Sequence, residues 1–471
     1  MPRLAPSVFR RAGRISPHLA TLLPSCRTIE SAQTELRWIR RHVLDSPWSQ
    51  SKPHVNVPSP GNQDQARLHR ARVGARQKLS PDTRSHVRSR RVAPEDLVAR
   101  LVARRGAGEP LQYVLGTQPF GDLEILCEKG VLIPRPETEA WASMLADLVL
   151  SSPFYRARVE GKGEELRILD LCSGTGCIGL SLYARGMAFS PAEAVKGVAQ
   201  GRRHRSALRL FGFDVESRAV RLARRNMLHN FRQSRLPSPN HGSAIEEVES
   251  AVTFRQADIF TDEWMANLDD AKSPGYKDRD NQDQSRRIDI LVSNPPYISQ
   301  RGFEVDTGRS VRNYEPKIAL VPSSLPSQAV DKTCAPEDIF YARLLDIANV
   351  LRPRIAVFEV GDMRQAIRVV EMAIARSTPR HHLDPDKSQK RDGDEQTVAR
   401  WDVLEIWRDW PDCQPSDTEN DVVLVCGREV PVRGSGHGRV VFLAEGQMMW
   451  NRFTNRGFRR RLYAGSSFLS E

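Results

Sequence analysis

Residues 166–179 read LRILDLCSGTGCIG, and this stretch decides the fold. Leu166 to Leu171 form a short apolar run of strand character. It passes into Cys172-Ser-Gly174-Thr-Gly176, and the residues from Cys177 onward read as a helix. A strand, a glycine-rich turn and a helix in that order are the first part of a βαβ unit. Glycines at 174, 176 and 179 let the backbone approach a nucleotide-like ligand closely, and the helix N-terminus offers it unpaired N–H groups. Gly-x-Gly-x-x-Gly alone is a weak signal; the strand–turn–helix setting gives it weight.

Outward from this unit, strands are expected at 207–213, 251–256, 288–293 and 354–360, with helices at 177–185, 216–229 and 337–350 between them. Strands alternating with helices imply a parallel sheet covered on both faces. Two later strands, near 401–407 and 421–426, are expected to close the sheet as an antiparallel edge. The expected class is α/β, a Rossmann-like sheet preceded by a small helical domain.

The chain has 471 residues, enough for two or three domains. A hydrophobic fraction of 39% and a mean hydropathy of -0.48 are lean for a packed protein. Long surface insertions are therefore expected, at 186–206, 231–250, 264–287 and 376–397, where added loop length costs little. No stretch approaches the roughly 18 apolar residues of a membrane span, so a soluble protein with no membrane partner is expected. The seven cysteines are widely spaced and form no C-x-x-C, which indicates neither a disulfide framework nor a zinc site. His381-His382 has no partner at metal-ligand spacing, and no metal is expected.

The net charge of +12 is concentrated at the N-terminal end. Residues 1–105 hold about 21 Lys/Arg against about 7 Asp/Glu. Residues 1–29 contain Arg3, Arg10, Arg11, Arg14 and Arg27, several serines and no acid, the composition of a mitochondrial presequence. A merely basic N-terminus is the plainer alternative. Residues 30–44 place Leu36, Ile39, Val43 and Leu44 at helical spacing, and 94–105 resume helical character after Pro94. Between them, about 45–92 is rich in Pro, Ser, Gln, Arg and His and reads as a flexible basic insertion.

Asp170 closes the first strand, where an acid can hold the amino-acid end of a cofactor. Asp214 closes the second and can accept hydrogen bonds from ribose hydroxyls. Asp258 and Ile259, at the end of the third, can flank an adenine, with a plain loop as the alternative. The fourth strand runs into Asn294-Pro295-Pro296-Tyr297. Two prolines stiffen this loop and contribute no N–H. The Asn294 side-chain oxygen and the Pro295 carbonyl can each accept one N–H of a planar NH2 group, and Tyr297 can pack on that group. Such a site aims a nitrogen at the methyl sulfonium of S-adenosylmethionine, helped by positioning and by stabilisation of developing charge, with no metal needed. Adenine N6, cytosine N4 and a glutamine amide all present this NH2, so the tetrapeptide alone does not choose between nucleic acid and protein.

Other segments narrow the choice. Gly108-Glu-Pro-Leu-Gln-Tyr113-Val-Leu-Gly116, Phe120-Gly121 and Val131-Leu-Ile-Pro-Arg135-Pro136-Glu137-Thr138-Glu139 precede the glycine turn. Tyr314-Glu-Pro-Lys-Ile-Ala-Leu320 and Arg408-Asp-Trp410 follow the Asn-Pro-Pro-Tyr loop. In this order the motifs resemble the HemK/PrmC family of release factor glutamine methyltransferases over roughly residues 95–425, outside the insertions. The resemblance implies a class I methyltransferase domain using S-adenosylmethionine, and a helical domain that docks a class I peptide chain release factor. It also implies methylation at N5 of the glutamine in that factor's Gly-Gly-Gln tripeptide. Cys172, Ser173, Gly174, Thr175, Gly176 and Asp214 would hold the cofactor, and the family often has an aromatic residue beside adenine where Ile259 stands. Asn294, Pro295, Pro296 and Tyr297 would hold the glutamine amide, with Asn294, Pro295 and Tyr297 the catalytic residues and Asn294 also facing the cofactor. Arg135, Pro136, Glu137 and Thr138 would shape the pocket wall; a structural turn with a helix cap is the competing reading of that segment.

The expected organisation is a presequence at 1–29, a helical docking domain at 30–116, a methyltransferase domain at 117–427 and an extension at 428–471. Within the extension, Gly434-Ser-Gly-His-Gly-Arg439 reads as a hairpin turn rather than a phosphate loop, since Arg439 replaces the third glycine. The leading expectation is a monomeric glutamine methyltransferase of the mitochondrial matrix, with nucleic acid not required. The alternatives are an N6-adenine methyltransferase of DNA or RNA, which NPPY and the basic N-terminal part favour, and a non-catalytic RNA-binding protein, which the intact Asp170, Gly174, Gly176 and Asn294 oppose.

Overall fold

The structure, a computed structural model, describes residues 4–45, 93–152, 155, 165–188, 208–237, 245–268, 288–322, 334–377 and 401–446. Most of the insertions expected at 45–92, 186–206, 264–287 and 376–397, with His381-His382, lie outside the described residues, as does the end of the chain from 447. The insertion expected at 231–250 is described in part. The chain forms two units, Met1–Leu115 and Gly116–Glu471.

The first unit is helical: α1 (Pro6–Ile15), α2 (Pro17–Cys26), α3 (Ile29–Asp45), α4 (Pro94–Gly106) and α5 (Leu111–Leu115). Its core joins Leu19, Leu22 and Leu23 of α2 to Leu36, Ile39 and Val43 of α3 and Val98, Leu101 and Val102 of α4. The Arg105 guanidinium forks onto Glu35 at 2.6 and 2.9 Å, and the Ser25 hydroxyl donates to the Arg105 carbonyl at 2.7 Å. At Gly106 an added Cβ would meet the Thr21 carbonyl oxygen at 2.5 Å, so α2 and α4 touch through backbone. Residues 6–26, within the segment expected as a presequence, form α1 and α2 and contribute to this core. The serine-flanked apolar residues of α2 fill the middle of the bundle, and composition alone does not register what they pack against.

In the second unit, β1 (Thr117–Phe120) and β2 (Leu123–Leu126) form a hairpin, followed by α6 (Pro136–Leu150). Then come β3 (Leu166–Leu171), α7 (Cys177–Ala188), β4 (Leu208–Asp214), α8 (Ser217–Arg232), α9 (Ile245–Ala251), β5 (Val252–Gln256) and β6 (Ile290–Ser293). Two short helices, α10 (Gln300–Val305) and α11 (Arg309–Tyr314), precede α12 (Ile339–Leu351), β7 (Ile355–Glu359) and α13 (Met363–Ser377). Four strands end the described chain: β8 (Val403–Trp410), β9 (Val422–Val425), β10 (Arg428–Arg433) and β11 (Ser435–Ala444).

The main sheet has the order β5-β4-β3-β6-β7-β11-β8-β10-β9. The first five strands are mutually parallel. Side chains alternate between its faces with a period of two. Ile168, Val292, Val357 and Phe442 pack under α6, α7 and α8, while Leu169, Leu291, Phe358 and Leu443 pack against α12 and α13. Both faces are buried, which is why these strands read as continuous apolar runs. The fold is of the expected Rossmann-like α/β class.

Of the two strands expected to close the sheet, β9 is the antiparallel edge strand, paired with β10, whereas β8 lies inside the sheet beside a second antiparallel strand. β11 runs antiparallel between β7 and β8, inside the sheet, so residues 428–446 belong to the methyltransferase sheet and not to a separate extension. The link at Gly434 is also no hairpin turn, since β10 and β11 lie on opposite sides of β8. The tight hairpin is the one before it: Cys426 and Gly427 both have positive φ, 49° and 75°, and connect β9 to β10 as a two-residue turn.

Candidate active site at the carboxyl ends of the parallel strands

The strand order reverses at β3, with β4 on one side and β6 on the other, and ligands of open α/β sheets bind beyond the strand ends at such a point. The glycine turn lies there. Gly174 and Gly176 have φ of 55° and 77°, in the left-handed region. At Gly174 an added Cβ would meet nothing within 4 Å, so the turn is open on that side. At Gly176 it would stand 2.8 Å from the Phe254 ring, so bulk is refused there. Cys172 holds φ 60° with a side chain present, a conformation that costs roughly 1–3 kcal/mol away from glycine. Burial pushes its thiol well above the usual range.

Asp214 is joined directly to this turn. One carboxylate oxygen accepts the Gly174 N–H at 2.8 Å and the other the Glu216 N–H at 2.8 Å. Each oxygen keeps a lone pair for a ligand hydroxyl. Burial raises its pKa, against the pull of those two N–H donors. Asp170 sits beneath the turn, fully buried, with one oxygen accepting the Gly179 N–H at 3.1 Å. Burial pushes its carboxyl up to about 7, with Asp214 adding to the effect. Asp170 Oδ1 and Ser173 Oγ are buried with no hydrogen-bond partner among the described residues. Unused acceptors beside an open turn suit a cofactor bearing an ammonium group and ribose hydroxyls.

At the end of β5 the expected pair separates. Asp258 is exposed and turns back to accept the Phe260 N–H at 3.0 Å. The Ile259 side chain is buried in the core with Phe213 and Trp264, and its carbonyl accepts from Arg343 at 2.6 Å. At 4% exposure, Ile259 offers little side-chain surface beyond the core.

The Asn294–Tyr297 loop leaves β6 beside the glycine turn. Leu171 and Ser293 are register partners, and the Ser293 hydroxyl donates to the Leu171 carbonyl at 2.7 Å. The Ile298 N–H to Leu320 carbonyl bond, 2.8 Å, anchors the far end. Pro295 and Pro296 are buried and Asn294 is half-buried. Neither the Asn294 amide nor the Pro295 carbonyl has a hydrogen-bond partner among the described residues. Two acceptors are thus unengaged at the point where a planar NH2 has to be held. The Tyr297 hydroxyl donates to Glu359 at 3.2 Å, and burial and then that carboxylate raise the phenol pKa.

The segment 135–138 starts α6. Arg135 is extended, as a residue before proline must be, and Pro136 opens the helix without wasting an N–H. Arg135 pairs with Glu315 at 2.8 Å, and Glu315 also accepts the Ile133 N–H at 3.1 Å. Thr138 is buried and donates to Glu359 at 2.7 Å, whereas Pro136 is exposed and Glu137 half-buried. Several residues here carry no expectation from the sequence. Glu315 lies inside a quoted motif yet had no assigned role. Asn226 donates to the Thr175 carbonyl at 2.9 Å and accepts the Leu126 N–H at 2.7 Å, bracing the glycine turn against β2. Glu359 and Gln365 meet the loop from β7 and α13, and no local pattern marks them.

The chain is similar in sequence to several known proteins. The chain is 30% identical over 321 residues to the mitochondrial MRF1 N(5)-glutamine methyltransferase of Saccharomyces cerevisiae, covering 68% of each chain. It is 30% identical over 265 residues to the probable mitochondrial MRF1 N(5)-glutamine methyltransferase of Schizosaccharomyces pombe, covering 56% of this chain and 67% of that one. With the release factor glutamine methyltransferase of Pasteurella multocida it shares 32% identity over 224 residues, 48% of this chain and 57% of the relative. Among solved structures, the human METTL16 catalytic domain with an RNA hairpin matches at 13% identity and a TM-score of 0.35, over 74% of this chain and 81% of that one. No family model matches the chain.

Proposed function

The chain belongs to the release factor glutamine methyltransferase family, and on that premise we propose that it methylates the Gly-Gly-Gln glutamine of a mitochondrial class I release factor at N5. The observation that carries the reading is the pair of unengaged acceptors, Asn294 Oδ1 and the Pro295 carbonyl, beside the glycine turn. Two acceptors at a rigid loop match the two N–H groups of a primary amide. They would hold its plane and stabilise the positive charge that grows on the nitrogen as the N–C bond forms and the methyl–sulfur bond breaks, after which one N–H proton is released to restore the neutral amide. S-adenosylmethionine supplies the methyl group on a sulfonium. Residues 172–176 and Asp214 are assigned to hold it, and Asp258 to stand at the adenine end.

The remaining assignments follow from the same premise. Tyr297 packs on the amide plane, Pro296 stiffens the loop, and Arg135 to Thr138 shape the wall through Glu315 and Glu359. The helical unit is the docking element for the factor, with Trp38 of α3 left 53% exposed. The enzyme resides in the mitochondrial matrix, a reading supported by the arginines of α1 and by the names of the two yeast relatives.

The test is methyl transfer from labelled S-adenosylmethionine to a purified mitochondrial release factor, beside a Gly-Gly-Gln glutamine-to-alanine control and total RNA and DNA. Label on that glutamine alone, located by mass spectrometry, is the expected result. Label on nucleic acid instead overturns the reading and favours an N6-adenine acceptor.

A further inference from the structure

Tyr297 of the acceptor loop is gripped from behind at three points. Glu359, the last residue of β7, is buried at 1% exposure. Its Oε1 accepts from the Tyr297 hydroxyl at 3.2 Å, and its Oε2 from Thr138 Oγ1 at 2.7 Å and Trp141 Nε1 at 2.8 Å. Gln365, in the first turn of α13, donates to the Tyr297 carbonyl at 3.3 Å and accepts the Gly361 N–H at 2.7 Å. Gly361 lies between the two. An added Cβ there would stand 3.2 Å from Tyr297 Cδ2, so the glycine admits the ring edge. Hydroxyl, ring edge and carbonyl are all held.

We propose that Glu359 is a positioning residue for methyl transfer: it fixes the ring plane of Tyr297 and, through Thr138 and Trp141, ties the first turn of α6 to the same point. This rests on the reading of Asn294–Tyr297 as the loop that holds the acceptor amide.

Stability alone does not account for a carboxylate here. A buried acid is costly, and apolar groups of similar volume hold a core as well or better. Burial indeed raises the Glu359 pKa, opposed by Thr138, Trp141, the charge of Arg439 and Tyr297. Arg439 is itself fixed, donating to Asp409 at 2.7 Å and to the Val360 carbonyl at 3.3 Å. What the carboxylate does that an apolar group cannot is collect donors from two separate elements at one point. An amide nitrogen is a weak nucleophile and reacts only when well aligned, and misplacement by about 1 Å costs on the order of 100-fold.

The test uses the full chain with Glu359→Ala, Glu359→Gln, Tyr297→Phe and the Glu359→Ala/Tyr297→Phe double variant. Glutamine can turn its oxygen to Thr138 and Trp141 and its NH2 to the Tyr297 oxygen, keeping the grip. Glu359→Ala is expected to lower kcat about 100-fold, with KM for the release factor and Kd for S-adenosylmethionine within about threefold of wild type. Glu359→Gln should recover about tenfold or more of that loss, and Tyr297→Phe should cost less than about twofold further on the alanine background. Single effects that multiply, or a loss residing in the cofactor Kd, overturn the proposal. A wild-type enzyme that leaves the factor unlabelled counts against the functional reading instead. The grip is then read from melting: Tm losses of the two single variants that fail to add in the double support it, and additive losses overturn it.

Discussion

Arg439 Nε donates to Asp409 Oδ1 at 2.7 Å, while the backbone N–H of His437 takes the other oxygen of the same carboxylate at 2.8 Å. This contact joins β11 to β8 across 30 residues of sequence. Between them the chain leaves to form β9 and β10 and then returns to fill the gap next to β7. The strand that the sequence assigns to an extension thereby becomes a central element. Val440, Val441, Phe442, Leu443 and Ala444 are all buried, and Phe442 stacks on Trp407 at 4.8 Å.

A chain ending at residue 427 should therefore be insoluble or unfolded, because β7 and β8 lose their common partner. A chain ending at 446 should retain a cooperative melting transition. Phe442→Ala in the full chain should cost about 3–5 kcal/mol in denaturant unfolding. A folded 1–427 fragment would refute the central placement of β11.

Asn294→Ala removes one of the two unengaged acceptors and nothing that the fold uses. Turnover should fall by about two to three orders of magnitude, with the calorimetric Kd for S-adenosylmethionine nearly unchanged. Asp214→Ala should do the opposite and chiefly weaken cofactor binding, because its carboxylate also orders Gly174. If Asn294→Ala turned over at the wild-type rate, the loop would not hold the acceptor through this side chain.

Cys172 bears a left-handed φ that glycine adopts freely. Cys172→Gly should melt at or above the wild-type temperature and still bind the cofactor. Cys172→Val, with a β-branched side chain, should lose about 1–3 kcal/mol. Equal melting temperatures for the two variants would show that the turn relaxes at no cost.

Asp170 sets a pH dependence whose sign is fixed. Its folded pKa of about 7 lies above the unfolded value near 4. Between those values the unfolded chain has released a proton that the folded chain keeps, so the Asp170 contribution to stability falls as pH rises from about 4 to about 7. Asp170→Asn keeps an acceptor for the Gly179 N–H and removes the titration. Its unfolding free energy should therefore fall less than that of wild type over this window. Parallel curves for the two proteins would mean that Asp170 is ionised in the fold.

Much of the fold is legible because its signals are local. The turn 172–176 needs glycine where φ is positive, and the α6 start needs Pro136 after an extended Arg135, so those residues announce themselves within a few positions. The parallel strands announce themselves because burial on both faces demands apolar runs. The leader is the opposite case. Residues 17–26 have the composition of a targeting segment, and only packing against α3 and α4 shows them to be core.

The sequence by itself determined the α/β class, the glycine turn and the Asn-Pro-Pro-Tyr loop, because each depends on backbone preferences and spacings that a short stretch carries whole. Only the tertiary structure decided that β11 lies inside the sheet, that Ile259 faces the core, and that Glu359 meets Thr138, Trp141 and Tyr297. Those outcomes depend on pairing between residues as much as 221 positions apart. Such pairing is settled by which buried surfaces and hydrogen-bonding groups complete one another, and no local pattern of residues records it.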